Sequence, residues 1–128
     1  MPFVKIHVSS VIQQNISVSL VRDVRVTLVD ALQVEETIGQ VMLYQTPVEC
    51  RCTHSSRDIN FAFIEIIMYP GRSVEIKKRL MERVNFLVHN YLGIDERDIN
   101  CCIIEVPSEN WSGGVSHKCI NELSEQIG

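Results

Sequence analysis

FAFIEIIMYPGRSVEIKKRLMERVNFLVHNYLG, residues 61–93, changes its period midway. Residues 61–68 are rich in Phe and Ile, a composition that suits a pleated surface and reads as a strand apolar on both faces. Beyond Pro70 and Gly71 the pattern becomes helical. Leu80, Met81, Val84, Leu87, Val88 and Tyr91 recur at i, i+1, i+4, i+7, i+8 and i+11, one stripe of a 3.6-residue period. Glu75, Lys78, Arg79, Glu82 and Arg83 occupy the opposite face, and His89 is placed with them on the solvated side. Ser73 stands where its hydroxyl accepts from a first-turn N–H, Glu75 where the helix dipole favours an acid, and Gly93 where a left-handed stop is needed.

The same order of features occurs earlier in the chain. Shifting the sequence so that Phe3 falls on Phe63 also lays Val4, Ile6 and Val8 on Ile64, Ile66 and Met68. Leu20, Val21, Val24, Leu28, Ala31, Leu32 and Val34 then meet Leu80, Met81, Val84, Val88, Tyr91, Leu92 and Ile94, and Pro47 meets Pro107. A single offset that aligns strand, helix, turn and proline together is the mark of an internal repeat. Each copy reads as strand, helix, strand: 3–8, about 17–32 and 39–45 in the first, and 61–68, the helix after Ser73 and 99–106 in the second. A crossover of this length gives parallel pairing within each copy. The expected fold is therefore α+β (α/β): two β-α-β units forming a four-stranded sheet with two helices on one face. The other sheet face is left to bury itself in an oligomer.

At 128 residues and 45% hydrophobic, the chain suits one compact domain. Its expected parts are repeat one over about 2–47, a polar linker 48–60, repeat two over about 61–114 and a tail 115–128 with a short helix over 118–127. The net charge of −4 is scattered, with no basic stripe for a phosphate backbone, so nucleic acid is not an expected partner. No apolar run approaches the ~20 residues of a membrane span, and the N-terminus carries no leader pattern, so a cytoplasmic location is expected. Five cysteines, two of them adjacent at Cys101 and Cys102, make a disulfide framework improbable and read as reduced thiols. The N-x-S sequences at Asn15 and Asn110 then carry no sugar. Cys50, Cys52 and His54 lack a fourth ligand at a recognised metal spacing; neither a metal nor a cofactor is expected.

Three stretches bear on chemistry: the start Met1-Pro2-Phe3-Val4, the turn Tyr69-Pro70-Gly71-Arg72-Ser73, and Trp111-Ser112-Gly113-Gly114 after the last strand. Taken singly, Pro2 reads as the start of an edge strand, Arg72 as a solvated first-turn residue and Trp111 as interface packing. In combination and in this order they resemble the tautomerase superfamily. Its members share an N-terminal proline, a Gly-Arg-Ser turn into a helix and an aromatic residue beside a glycine hairpin, and the similarity extends to the malonate semialdehyde decarboxylase-like branch. The resemblance is densest over 61–114 and looser over the first half. It implies a homotrimer, removal of Met1, and a keto-enol tautomerase acting on small 2-oxo or 2-hydroxy acids. Pro2 would be its general base, Arg72 its anion-binding partner, and Tyr69 and Trp111 walls of the substrate pocket.

Physical chemistry makes these residue types suitable. Burial and neighbouring cations lower the pKa of a terminal secondary amine toward neutrality, where a base works best. A guanidinium at a helix N-terminus joins free N–H groups and the positive dipole end in holding a carboxylate or enolate. An aromatic wall excludes water and strengthens those contacts. The repeat divides the roles, for Ala62 stands opposite Pro2 and Ile12 opposite Arg72. Where related dehalogenases and decarboxylases carry a further arginine before the Gly-Arg-Ser turn, this chain has Met68, Tyr69 and Pro70, and no acid after the first helix stands at a recognisable water-activating position. Simple tautomerisation is therefore favoured over hydratase-type dehalogenation or decarboxylation; an inactive oligomeric scaffold on the same fold is the other alternative. His7 is expected to be a half-buried structural histidine. Lys5, Arg22 and Arg25 read as solvated charges, with substrate contact across an interface as the alternative.

Overall fold

The computed structural model describes residues 2–9 and 12–113. In chain order the elements are β1 (Phe3–Ser9), α1 (Gln14–Leu32), β2 (Gln40–Thr46), β3 (Ala62–Met68), α2 (Val74–Leu92) and β4 (Ile99–Glu105), with single 3-10 turns at Val48–Cys50, Glu96–Asp98 and Ser108–Asn110. The helix expected over 118–127 and Gly114 lie outside the described residues.

The strands form one sheet in the order β2-β1-β3-β4. Pairing is parallel within each β-α-β unit and antiparallel between β1 and β3 at the centre. The repeat read from the sequence reappears in the register: Phe3 pairs with Gln40 in the first unit, and Phe63 with Asn100 in the second. Lys5 and Glu65, equivalent positions of the two units, face each other across β1 and β3. The units are thus related by a local two-fold axis through the sheet centre. One end of the sheet, the front, holds the start of β1 and the end of β3; the rear end holds the start of β3 and the end of β1.

Strand alternation decides which face the helices cover. Val4, Ile6 and Val8 of β1 and Ala62, Ile64, Ile66 and Met68 of β3 are buried, together with Leu20, Val24, Leu28 and Leu32 of α1 and Leu80, Val84 and Val88 of α2. Between the helices, Arg83 Nη1 lies 2.9 Å from Asp30 Oδ2, and the Tyr91 hydroxyl donates to Asp23. No helix among the described residues is long and apolar enough to cross a membrane.

The two helices end by different means. Ser73 Oγ accepts from the Ile76 N–H at 3.2 Å to open α2, and Gly93 closes it at φ 68°, its N–H donating to the His89 carbonyl at 2.9 Å. His89 departs from the solvated face expected of it. It is half-buried, with Nδ1 2.6 Å from the Ile94 carbonyl, because the chain folds back over the helix C-terminus at Gly93. α1 begins before residue 17, at Gln14, with no side-chain cap, and stops at Gln33, a non-glycine residue held at φ 53°.

The sheet face away from the helices is not uniformly apolar, so the reading of 61–68 as apolar on both faces is corrected. Glu65 points to that face, and its Oε2 lies 2.7 Å from His7 Nε2. The His7 ring stacks on Tyr44 at 4.8 Å and on Phe63 at 6.0 Å between ring centroids. Met42, Tyr44, Phe63 and Ile104 remain part-exposed around this pair. The linker after β2 is pinned by Arg51, whose Nη1 donates to the carbonyls of Ile59 and Phe61 at 2.8 and 2.7 Å while its guanidinium lies 4.0 Å above the Phe61 ring.

The helix-to-sheet packing carries a direct test within α2. Leu80 is fully buried and Val74 is 71% exposed. In denaturant unfolding, Leu80→Ala is expected to lose about 2–5 kcal/mol, whereas Val74→Ala is expected to stay within about 0.5 kcal/mol of the parent protein.

Candidate active site

The antiparallel pairing of β1 with β3 gathers the front end. With Phe3 opposite Ile67, Pro2 lies across from the last residue of β3, and the chain turns at 69–72 directly into α2. Pro2 is buried. Its carbonyl accepts from the Gln40 N–H at 3.2 Å. Gly39 borders its ring: a Cβ placed on Gly39 would lie 3.8 Å from Pro2 Cγ and 3.3 Å from Leu28 Cδ2, and the backbone there holds φ 104°.

Tyr69 follows β3 immediately and is buried, its phenol pushed above the ordinary pKa by that burial. Its ring meets Trp111 at 5.7 Å between centroids and a 59° tilt. Trp111 is brought there by β4, which pairs with β3 to Met68 and continues with the Val106 N–H donating to the Met68 carbonyl at 2.8 Å. Arg72 is half-buried, and its Nη2 donates to the carbonyl of Leu32, the last residue of α1, at 3.3 Å. A cation there complements the negative end of the helix. The four sequence-derived candidates Pro2, Tyr69, Arg72 and Trp111 therefore belong to one end of the sheet, with Tyr69 and Trp111 in contact and Arg72 directed at the α1 terminus.

Arg25 was not legible as part of this region. Rather than being a solvated charge, it reaches from α1 over the turn that leads into β2. Nε donates to the Gly39 carbonyl at 3.0 Å, and Nη2 donates to the carbonyls of Glu36 and, at 3.5 Å, Ile38. Nothing in the local pattern marks such a contact, which depends on where the chain returns after the helix. Gly39, read as the first residue of a strand, instead supplies the backbone conformation that ends the turn.

A cavity of about 820 Å³ lies at the rear end, between the end of β1, the linker and the residues after α2. Asp98, almost wholly buried, accepts there from the Asp58 N–H at 3.3 Å and lies 3.9 Å from Arg57 Nε. By the local two-fold this is the counterpart of the front end, with Ala62 and Ile12 at the positions of Pro2 and Arg72. The rear end thus has volume without the proline and arginine that distinguish the front.

Comparison with known proteins identifies the family. The family model described as "Tautomerase enzyme" matches residues 40–114, more than half of the chain. A 2-hydroxymuconate tautomerase of Comamonas testosteroni is 39% identical over 57 residues, which are 44% of this chain and 90% of that protein. Among solved structures, a fused 4-OT determined as an asymmetric trimer superimposes with a TM-score of 0.81 at 15% identity, covering 94% of this chain and 98% of the other. A malonate semialdehyde decarboxylase inhibited by 3-bromopropiolate gives 0.76 at 17% identity, with 94% and 96% covered. A macrophage migration inhibitory factor-like protein of Entamoeba histolytica gives 0.76 at 18% identity, with 88% and 94% covered. These structural likenesses concern the fold. The chain belongs to the tautomerase family, and this membership supports a tautomerase-type, isomerase activity.

The cysteines differ in exposure. Burial, with a smaller contribution from Cys102, pushes the Cys101 thiol up to about 12, so it carries almost no thiolate near neutral pH and is not a nucleophile. Cys50 and Cys52 are exposed in the linker. Alkylation of the folded protein at pH 8 followed by peptide mapping is expected to label Cys50 and Cys52 and to spare Cys101 until the protein is unfolded.

Proposed function

We propose that the chain is a keto-enol tautomerase of small 2-oxo and 2-hydroxy carboxylic acids, with the amine of Pro2 as general base once Met1 is removed. The observation that carries this reading is the burial of Pro2 at the sheet end where the 69–72 turn enters α2. Burial disfavours the protonated amine and so moves the base toward its working pH. Arg72 has five N–H donors, of which one is directed at the Leu32 carbonyl, and its planar fork suits the substrate carboxylate or the developing enolate. The ring contact of Tyr69 with Trp111 at this end supports their reading as walls of the substrate pocket. In the ketonising direction the 2-hydroxyl gives its proton to Pro2, the O–H electron pair forms the C2 carbonyl, and Pro2 returns the proton to C3 or, through the conjugated diene, to C5, with no net change of atoms or charge.

The homologous tautomerase from Comamonas testosteroni supports the reaction type, since its name specifies 2-hydroxymuconate. Pro2→Ala, confirmed by intact mass to lack Met1, is expected to lower kcat/KM for ketonisation of a 2-hydroxydienoate by about 10²- to 10⁴-fold. Arg72→Ala separates two roles: a rise in KM alone identifies carboxylate anchoring, and a fall in kcat identifies enolate stabilisation. Wild-type protein should show an ascending limb in kcat/KM with rising pH, as Pro2 loses its proton, displaced in Pro2→Ala. Full turnover in Pro2→Ala, or in protein that retains Met1, would falsify the amine-base mechanism. An absence of turnover across aryl and alkyl 2-oxo acids would favour the inactive scaffold.

The assembly proposed is a homotrimer that buries the sheet face opposite the helices. Fused 4-OT neighbours are trimers, both symmetric and asymmetric, and this face presents Met42, Tyr44, Phe63 and Ile104 around the hydrogen-bonded pair His7 and Glu65. Sedimentation is expected to give three times the chain mass at micromolar concentration; a stable monomer would remove the assembly.

A further inference from the structure

We infer that Arg25 is a positioning residue for Pro2, acting through the turn between α1 and β2; the inference rests on the reading of Pro2 as general base. The contacts form a continuous path. On one side, the Arg25 guanidinium gathers the carbonyls of Glu36, Ile38 and Gly39, three backbone acceptors of a single short turn. On the other side, the same turn touches Pro2 twice: Gly39 borders the ring, and the Gln40 N–H donates to the Pro2 carbonyl at 3.2 Å. Among the described residues, Pro2 is held in the sheet only through Phe3, which pairs with Gln40 and Ile67, and through its own carbonyl. It precedes the first ladder pair of β1, and as proline it offers no backbone N–H to the sheet. Its ring and carbonyl therefore depend on the place of Gly39 and Gln40, and Arg25 ties the turn that leads into them to α1.

The guanidinium is suited to this in a way that an ammonium is not. Its planar fork directs several N–H groups at once, whereas lysine presents one compact point charge. The contact with the Glu36 carboxylate, 3.4 Å from Nη1, adds little because that side chain is 84% exposed. The carbonyl contacts, on the partly shielded side of the Arg25 side chain, carry the effect. Gly39 enforces the same geometry sterically, since it holds φ 104° with Leu28 and Pro2 close to where a side chain would begin.

The test compares Arg25→Gln, Arg25→Lys and Pro2→Ala in the full chain, each verified by mass to lack Met1. Ketonisation kinetics on a 2-hydroxydienoate are measured together with hydrogen exchange at the Gln40 amide. Arg25→Gln is expected to lower kcat by about 10- to 100-fold, the cost of a misplaced catalytic group, while KM stays within about two-fold because the substrate contacts are retained. The Gln40 amide is expected to exchange faster as its bond to Pro2 loosens. Arg25→Lys should follow Arg25→Gln in both readouts; should Arg25→Gln fail to fold, Arg25→Lys carries the test. Wild-type kcat in Arg25→Lys, a loss confined to KM, or unchanged Gln40 exchange in a folded variant each overturns the positioning role. The two readings fail separately. An inactive Pro2→Ala beside fully active Arg25 variants removes the positioning role alone, whereas an active Pro2→Ala removes the base and leaves Gln40 exchange to decide whether Arg25 holds the proline in place.

Discussion

The antiparallel ladder between β1 and β3, from Phe3 opposite Ile67 to His7 opposite Phe63, is the constraint from which the rest of the molecule follows. Parallel pairing within each unit would be satisfied equally well by two units lying side by side in the same direction. Reversing one against the other brings the start of one unit to the end of the other. Pro2, which begins β1, thereby comes to the turn that leaves β3, and residues far apart in sequence share one end of the sheet. The same reversal places equivalent faces of the strands on one side, so a single layer formed by α1 and α2 covers the core and the opposite face stays open.

At the front end, backbone groups supply much of the order. The Leu32 carbonyl receives Arg72, the Pro2 carbonyl receives Gln40, and three carbonyls of the α1–β2 turn receive Arg25. Such acceptors are fixed by the chain path and lose little on being ordered, which suits a site that must hold a small substrate in one pose.

The second unit was more legible in the sequence than the first because its boundaries are written in side chains. Ser73 caps, Gly93 stops, and the apolar stripe between them has few interruptions. α1 has neither signal: Gln13 contributes no capping side chain, so its start lay earlier than the apolar pattern indicated, and Gln33 adopts a left-handed conformation without being glycine. The repeat conveyed the sheet, since one offset fixed both units and their registers agree. Strand composition alone misjudged Glu65, whose carboxylate meets His7 Nε2 on the neighbouring strand, a partner visible only once the antiparallel register is known. Of the candidate site, Pro2, Tyr69, Arg72 and Trp111 belonged to local motifs. Arg25 and the role of Gly39 belong to tertiary geometry, and no spacing in the chain announces them.

The rear cavity has a further consequence. It lies where β1 leaves the central ladder at Val8 and Ser9, so the reversal that brings Pro2 to the 69–72 turn also leaves a hollow at the opposite end. Ala62 and Ile12 show that the second location has no need of the front pair, and side chains there are free to change while the scaffold beneath them is not. A repeated unit of this kind offers, away from the end that holds Pro2 and Arg72, a second hollow in which an engineer can exchange side chains while the core strands stay as they are.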